Sequence, residues 1–232
     1  MFDEIAKYYD NFKLYRNYEI EADILDDIIS KTGEISVRSL VELGCGTGNL
    51  ISKLNTKGYN IDGIDSSNSM LDIAKSKNID PSGLVNTDFT SYVPKNKYDG
   101  VIWIDGAIGY VNPNRMTETI SNIANNILAR SGVLIIEPWY SEANWRPNTS
   151  HLITYESDNG DKFIRLSHGR KDGSIEFHHL IATQHGIEHI LGFTKFWLHD
   201  YSNICNELSD HMNVRLEDSS DTFSRGLIVG SR

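Results

Sequence analysis

Three glycines spaced two apart, Gly44, Gly46 and Gly48, follow the acid Glu42 in the segment SLVELGCGTGNL. A strand-like apolar run (Leu40, Val41, Leu43) feeds them, and glycine in such a turn lets a ligand approach the backbone and permits positive φ. Three ligand classes use turns of this kind, and spacing separates them. A nucleoside-triphosphate loop needs Gly-x-x-x-x-Gly-Lys-Ser/Thr, whereas Gly-Asn-Leu stands here. A dinucleotide fingerprint needs Gly-x-Gly-x-x-Gly/Ala, but counting from Gly44 the last position is Asn49, and from Gly46 it is Ile51. The pattern left is Glu-x-Gly-x-Gly-x-Gly. A second acid, Asp65, ends the next strand-like run, YNIDGIDSS, 17 residues after Gly48. A carboxylate there can accept both hydroxyls of a ribose. Ser66 or Ser67 can cap the helix beginning in SSNSMLDIAKS, which leaves Asp65 free for that task.

The Glu-x-Gly-x-Gly-x-Gly pattern resembles motif I of class I methyltransferases that use S-adenosylmethionine. Such a resemblance implies a nucleoside crevice, and residues downstream suit one. In LVNTDFTSY, Asp88 can accept from an adenine amino group while Phe89 packs on the ring; its competing role is to cap the following turn. In YDGVIWIDGAIGYVNP, residues 104–106 would run along the methionine portion, so Ile104 and its neighbours offer backbone carbonyls to the ammonium. Asp105 is an unusual acid at an apolar strand end, and Tyr110 sits in a loop that should face the substrate; the bland alternatives are a turn cap and surface packing. The tyrosines at 8, 9, 15 and 18 can close over a sulfonium, since aromatic faces attract cations, although such density on a first helix is more often core. His178, His179, His185 and His189 do not make a metal site: neighbours on a strand point to opposite faces, and no Cys-x-x-Cys or His-Glu-x-x-His accompanies them.

The elements that must position these residues follow from periodicity. Ile20, Ile24, Leu25, Ile28 and Ile29 share one face of a first long helix. Strands are then expected near 38–43, 60–64, 83–86, 99–104 and 132–137, with helices near 47–56, 67–77 and 115–129. That alternation argues for a mostly parallel sheet covered on both faces. After Tyr140 the helical period disappears, and four strands are expected around turns at Asn159-Gly160, Asp172-Gly173 and His185-Gly186. Residues 141–198 read as an antiparallel flap inserted after strand five of a single domain, 1–232, where it can roof the crevice beyond the strand ends. A helix near 199–211 and strands in MNVRLED and RGLIVGSR close the chain.

Further along, EPWY (Glu137 to Tyr140), RLSH (Arg165 to His168), EFHHLIA (Glu176 to Ala182), IEH (Ile187 to His189) and SRGLIVG (Ser224 to Gly230) occur in order. With motif I they resemble the S-adenosylmethionine-dependent N,N-dimethyltransferases of TDP-linked amino sugars, the desosamine and mycaminose type. The resemblance implies a Rossmann-like fold with a seven-stranded, mostly parallel sheet and an antiparallel insertion. It also implies S-adenosylmethionine as cofactor, held by Tyr9, Tyr18, Glu42, the three glycines, Asp65, Ser66, Asp88, Phe89 and Ile104. Glu137 would match an acid lining the active site and Arg225 the arginine that meets the nucleotide-sugar phosphates. His178, in the flap, is expected on the substrate side. Two positions depart from the family: Tyr110 stands where histidine is usual, and SSDTF replaces a glycine-rich segment before Arg225.

Composition bounds the reading. With 232 residues the chain suits one α/β domain, and a net charge of −10 without a basic stripe argues against a nucleic-acid polymer as partner. Cys45 and Cys205 make no disulfide framework, MFDEIAKYYDNF is no secretory signal, and no run of about 18 apolar residues exists to span a bilayer, so a cytoplasmic protein is expected. The expected activity is methyl transfer to an amine of a small metabolite, with Glu137, Asp105 and Tyr110 as candidates to assist the amine's deprotonation. The alternatives are O- or C-methylation, an NAD(P)-linked oxidoreductase, or a cofactor-binding module without turnover. Unpaired strand edges in the flap point to a homodimer.

Overall fold

In the computed structural model, which describes residues 1–33, 36–77 and 79–232, the alternating pattern becomes a seven-stranded sheet with helices on both faces. A short helix α1 (Phe2–Ile5) and two single turns lead to α2 (Tyr18–Thr32), capped by the Asn17 side chain. Then come β1 (Ser39–Leu43), α3 (Asn49–Thr56), β2 (Asn60–Asp65), α4 (Asn68–Lys75), β3 (Leu84–Asn86), β4 (Tyr98–Trp103), α5 (Met116–Asn122) and β5 (Leu128–Ile136). Four antiparallel strands follow, β6 (Ser150–Glu156), β7 (Lys162–Gly169), β8 (Ser174–Thr183) and β9 (Gly186–Lys195). The chain ends with α6 (Tyr201–Ser209), β10 (Asn213–Glu217) and β11 (Leu227–Ser231).

The main sheet has the order β10-β11-β5-β4-β1-β2-β3, and only β11 runs antiparallel to its neighbours. Its strands are nearly continuous apolar runs because both faces are covered. Leu40, Ile102 and Ile135 face α2 and α3, whereas Val41, Val101, Trp103 and Leu134 face α5 and α6. Two expectations shift. The helix expected over 115–129 stops at Asn122 and widens into a π-turn over Ile123–Ile127, so that Leu128 is free to start β5 opposite Tyr98, four residues early. Ile20, expected on the buried face of α2, is exposed; that face is made by Ala22, Leu25, Ile28 and Ile29 instead.

The second sheet, β6-β7-β8-β9, turns at Gly160, Gly173 and Gly186, each with positive φ. Its inner face carries Phe163 and Ile181, which pack on Phe12 of the N-terminal segment. That segment also reaches the main body through Ile5 and Ala6 against Met70 of α4. Lys7 and Tyr8 then bind Glu188 of β9, at 3.3 and 2.6 Å. The first 17 residues therefore tie the flap to the carboxyl end of the main sheet. Among the described residues no helix is long and apolar enough to cross a membrane.

Candidate active site

Strand order reverses between β1 and β4, so a crevice opens beyond their carboxyl ends. The N–H groups of Gly44 and Cys45 both donate to the Ile64 carbonyl, at 2.8 and 3.0 Å, which swings the chain after β1 across the end of β2. Gly44, Gly46 and Gly48 then hold φ of 76°, 55° and 73°, conformations that any side chain would strain. Asp65 is fixed by two backbone donors: Oδ2 accepts from Gly46 N and Oδ1 from Ser67 N, each at 2.8 Å. Each oxygen keeps a lone pair for a ligand hydroxyl. Burial raises the Asp65 carboxyl, against those backbone donors.

Asp65, Ser66, Gly44, Gly46, Phe89 and Ile104 line a cavity of about 380 Å³. Asp88 lines it too, although its Oδ1 also caps the turn at Phe89–Ser91 by accepting from Thr90 N and Oγ1 at 2.8 and 2.7 Å. Both roles weighed for Asp88 are thus open to the one side chain. Phe89 is held edge-on by Trp103, with ring centroids 5.3 Å apart. Glu42 lies buried, and its Oε2 has no hydrogen-bond partner among the described residues. These residues fit S-adenosylmethionine: a carboxylate for a ribose, an aromatic for a base and a glycine cradle. Glu42 and Gly48, expected to hold the cofactor, stand behind that lining and border neither cavity.

Asp105 has φ of 57°, uncommon outside glycine, and Gly106 continues at 69°. A Cβ on Gly106 would collide with the Trp139 ring, so the loop after β4 packs directly on the segment after β5. Glu137 holds this turn from behind: its Oε2 accepts from Asp105 N at 2.8 Å, and its Oε1 pairs with Arg225 at 2.6 Å. The Asp105 carboxylate faces forward between two cations, 2.7 Å from Lys13 Nζ and 3.0 Å from Arg16 Nη1. Arg16 in turn binds the buried Glu21 through two nitrogens, at 2.8 and 2.5 Å. Burial alone would raise the Asp105 carboxyl, but Lys13 and Arg16 outweigh it and hold it well below the usual range.

A second cavity, about 790 Å³, opens beneath the flap and shares Phe2, Tyr9, Asp105 and Tyr110 with the first. Tyr110 borders both cavities and keeps 38 % of its surface. Burial raises its phenol well above the ordinary value. Trp139 and Phe196 stack with centroids 4.2 Å apart and form an aromatic wall. The lining carries four cations, Lys13, Arg146, Arg165 and Arg225, against the single acid Asp105, in a chain whose net charge is −10.

Several residues stand elsewhere than sequence reasoning placed them. Glu137, expected in the active site, is 4 % exposed and lines neither cavity; both its oxygens are spent on Asp105 and Arg225. Arg225, expected to meet phosphates, does reach the second cavity, but its Nη2 pairs with Glu137 and its Nε donates to the Pro138 carbonyl at 2.7 Å. His178, expected at the substrate, faces the outer side of β8, where it stacks on His189 and bonds Glu176 at 2.9 Å. The pleat sends His179 inward instead. Tyr18 lines neither cavity and lies under the Arg16 guanidinium, 4.8 Å from its ring centroid. Tyr9 borders both cavities. The sequence pattern gave no site role to Lys13, Arg16, Arg165 or His179. The isolated acid Asp105 at an apolar strand end was the one signal that two cations must lie near it.

Residues 40–132, from β1 into β5, match the methyltransferase-domain family. A dTDP-3-amino-3,6-dideoxy-alpha-D-glucopyranose N,N-dimethyltransferase from Streptomyces fradiae is 28 % identical over 193 residues, covering 80 % of this chain and 74 % of that protein. DesVI from Streptomyces venezuelae superposes with a TM-score of 0.88 at 22 % identity, covering 97 % of each chain. S-adenosylmethionine-bound CalS10, an amino pentose methyltransferase from Micromonospora echinaspora, superposes at 0.81 with 19 % identity over 94 % of this chain and 92 % of that one. The structural likenesses establish the Rossmann-like fold with its antiparallel insertion. The protein is an S-adenosylmethionine-dependent methyltransferase. The oxidoreductase alternative falls with that assignment.

Proposed function

We propose that the methyl acceptor is the amine of a nucleotide-linked amino sugar, held under the flap. The observation that carries this reading is the cationic lining of the larger cavity, where, among the described residues, Arg146 and Arg165 meet no carboxylate while Lys13 and Arg225 are paired with Asp105 and Glu137. An unbalanced positive wall suits a diphosphate-bearing substrate in an otherwise acidic protein. The likeness to the Streptomyces fradiae enzyme supports the same acceptor class. On this reading residues 1–232 act as one cytoplasmic unit whose flap, 141–198, forms the acceptor side.

When bound, S-adenosylmethionine supplies a methyl group on a sulfonium, so transfer forms an N–C bond, breaks the C–S bond and moves the positive charge onto nitrogen. The chain's task is alignment and charge placement. Tyr9, Asp105 and Tyr110 border both cavities, where the amine must meet the methyl group. Asp105 stays ionised beside Lys13 and Arg16 and is too weak a base to take the amine's proton. Tyr110 stays neutral, and its phenol oxygen can accept a hydrogen bond from the amine. Glu137 is walled off and acts by holding the Asp105 backbone and Arg225. The acceptor therefore arrives as the free amine, and its second proton leaves to water after transfer.

The test is methyl incorporation by the purified protein with thymidine-diphosphate-linked amino sugars, the free amino sugars, and the same nucleotide sugars carrying hydroxyl in place of amine. Turnover confined to the nucleotide-linked amines is expected. Equal efficiency on free amino sugars, or methylation of the hydroxyl compounds, would overturn the assignment.

A further inference from the structure

The positive charges of the larger cavity are not equivalent. Lys13 is neutralised by Asp105, Arg16 behind it by Glu21 and Asp105, and Arg225 by Glu137. Arg146 is exposed and rests on the carbonyls of Ala143 and Trp145, at 3.4 Å each. Arg165, on the inner face of β7, differs from all of these. Among the described residues no carboxylate pairs with it, and its Nε is fully buried without a hydrogen-bond partner. Directly across the ladder stands His179 of β8, 2 % exposed, whose Nδ1 is likewise buried and unpartnered. The imidazole is clamped between Phe12, at a centroid distance of 4.7 Å, and Phe177, at 5.8 Å. Burial first, and then the Arg165 charge, lower its pKa to about 4, so it is neutral at physiological pH. A guanidinium without counter-ion beside a second unsatisfied polar atom, both on a cavity wall, is costly unless a ligand completes it.

We propose that Arg165 and His179 form the anion seat of the acceptor site, taking phosphoryl oxygens of a nucleoside diphosphate. Phosphate fits better than carboxylate here because the guanidinium fork meets two oxygens at once while a neutral imidazole nitrogen can serve a third. Glu137 keeps Arg225 engaged, so Arg225 shapes the reacting end rather than reading the anion. The proposal rests on the amino-sugar reading of the site, and it assigns the handle of that substrate to β7 and β8 of the flap.

Calorimetry with thymidine diphosphate, and with inorganic pyrophosphate, on the wild-type and Arg165→Met proteins tests it; methionine keeps the stem that packs on the sheet. Thymidine diphosphate should bind the variant about tenfold to a hundredfold more weakly, with S-adenosylhomocysteine affinity unchanged as the check on folding. Arg165→Lys should recover only part of the loss, since one ammonium cannot reproduce the fork. Unaltered thymidine diphosphate affinity in Arg165→Met, or no binding of either anion to the wild type, would overturn the seat even if amino sugars are methylated. Loss of diphosphate affinity in a protein that methylates no amino sugar would uphold the seat and sink the assigned acceptor instead.

Discussion

Replacing Arg225 by methionine strips the buried Glu137 carboxylate of its counter-ion while keeping most of the side-chain volume. Two kinds of loss should follow, and pH separates them. The hydrogen bond to the Pro138 carbonyl and the approach of the guanidinium to Trp139 and Tyr140, 5.1 and 5.8 Å from their centroids, are worth about 1–2 kcal/mol together at any pH. The uncompensated carboxylate would cost about 3–5 kcal/mol if it stayed charged. Glu137 can limit that cost by binding a proton, because burial already raises its pKa and Arg225 opposes the rise. A carboxyl whose folded pKa lies above its unfolded value stabilises the fold at low pH and loses that contribution as pH rises. The protonated route costs about 1.4 kcal/mol for each unit of pH above the unfolded value. At pH 5 the extra loss is therefore below about 1 kcal/mol, and at pH 7 it approaches about 3 kcal/mol. Urea unfolding of wild type and Arg225→Met at pH 5 and pH 8 reads the difference, and the gap between the proteins should widen by about 2–3 kcal/mol. The double variant Glu137→Gln/Arg225→Met should lose the pH-dependent part. An equal loss at both pH values, or a double variant that keeps the dependence, would refute the reasoning.

The cofactor side gives a simpler expectation: Asp65→Ala should weaken S-adenosylhomocysteine by about tenfold or more, from loss of a charged acceptor worth about 1.5–3 kcal/mol, as calorimetry can measure. Lys13→Met should destabilise the fold by about 1 kcal/mol at pH 7, discounted for solvent in the cleft, since Arg16 still holds Asp105. Because the folded Asp105 pKa is depressed, that difference is present above the unfolded value and should shrink as pH falls below about 4, as denaturation in acid will reveal. The pH dependence of kcat/KM should follow the pKa of the acceptor amine, not of a protein group; a profile that stays fixed when amines of different pKa are compared would count against the free-amine route. We expect a homodimer through the outer face of β6–β9, where Leu152, Leu166, Ile187, Leu191 and Phe193 are exposed. Light scattering should show the dimer, and Phe193→Glu should yield monomer.

What the sequence disclosed depended on how local its physics was. The glycine turn, the acid ending β2 and the three hairpin glycines each express a backbone demand settled within a few residues, and they stand where periodicity and turn chemistry put them. Side-chain roles across the crevice were less legible, because partners there come from segments far apart in the chain. Glu137 looks like an active-site acid from its neighbours EPWY, yet Arg225, 88 residues later, and the Asp105 amide, 32 residues earlier, take both its oxygens. The pair His178 and His179 shows the same limit at finer scale. Strand pleating required opposite faces, but which face meets the cavity depends on how β8 sits over Phe12. Lys13 and Arg16 belong to a tyrosine-rich segment, and their work is to offset an acid 92 and 89 residues away. Charge balance was the missing criterion. A residue already neutralised inside the protein has little left for a ligand, whatever motif it belongs to. By that measure Asp105 and Arg225 are committed within the scaffold, whereas Arg165, whose buried Nε meets no partner among the described residues, keeps its charge available for a ligand.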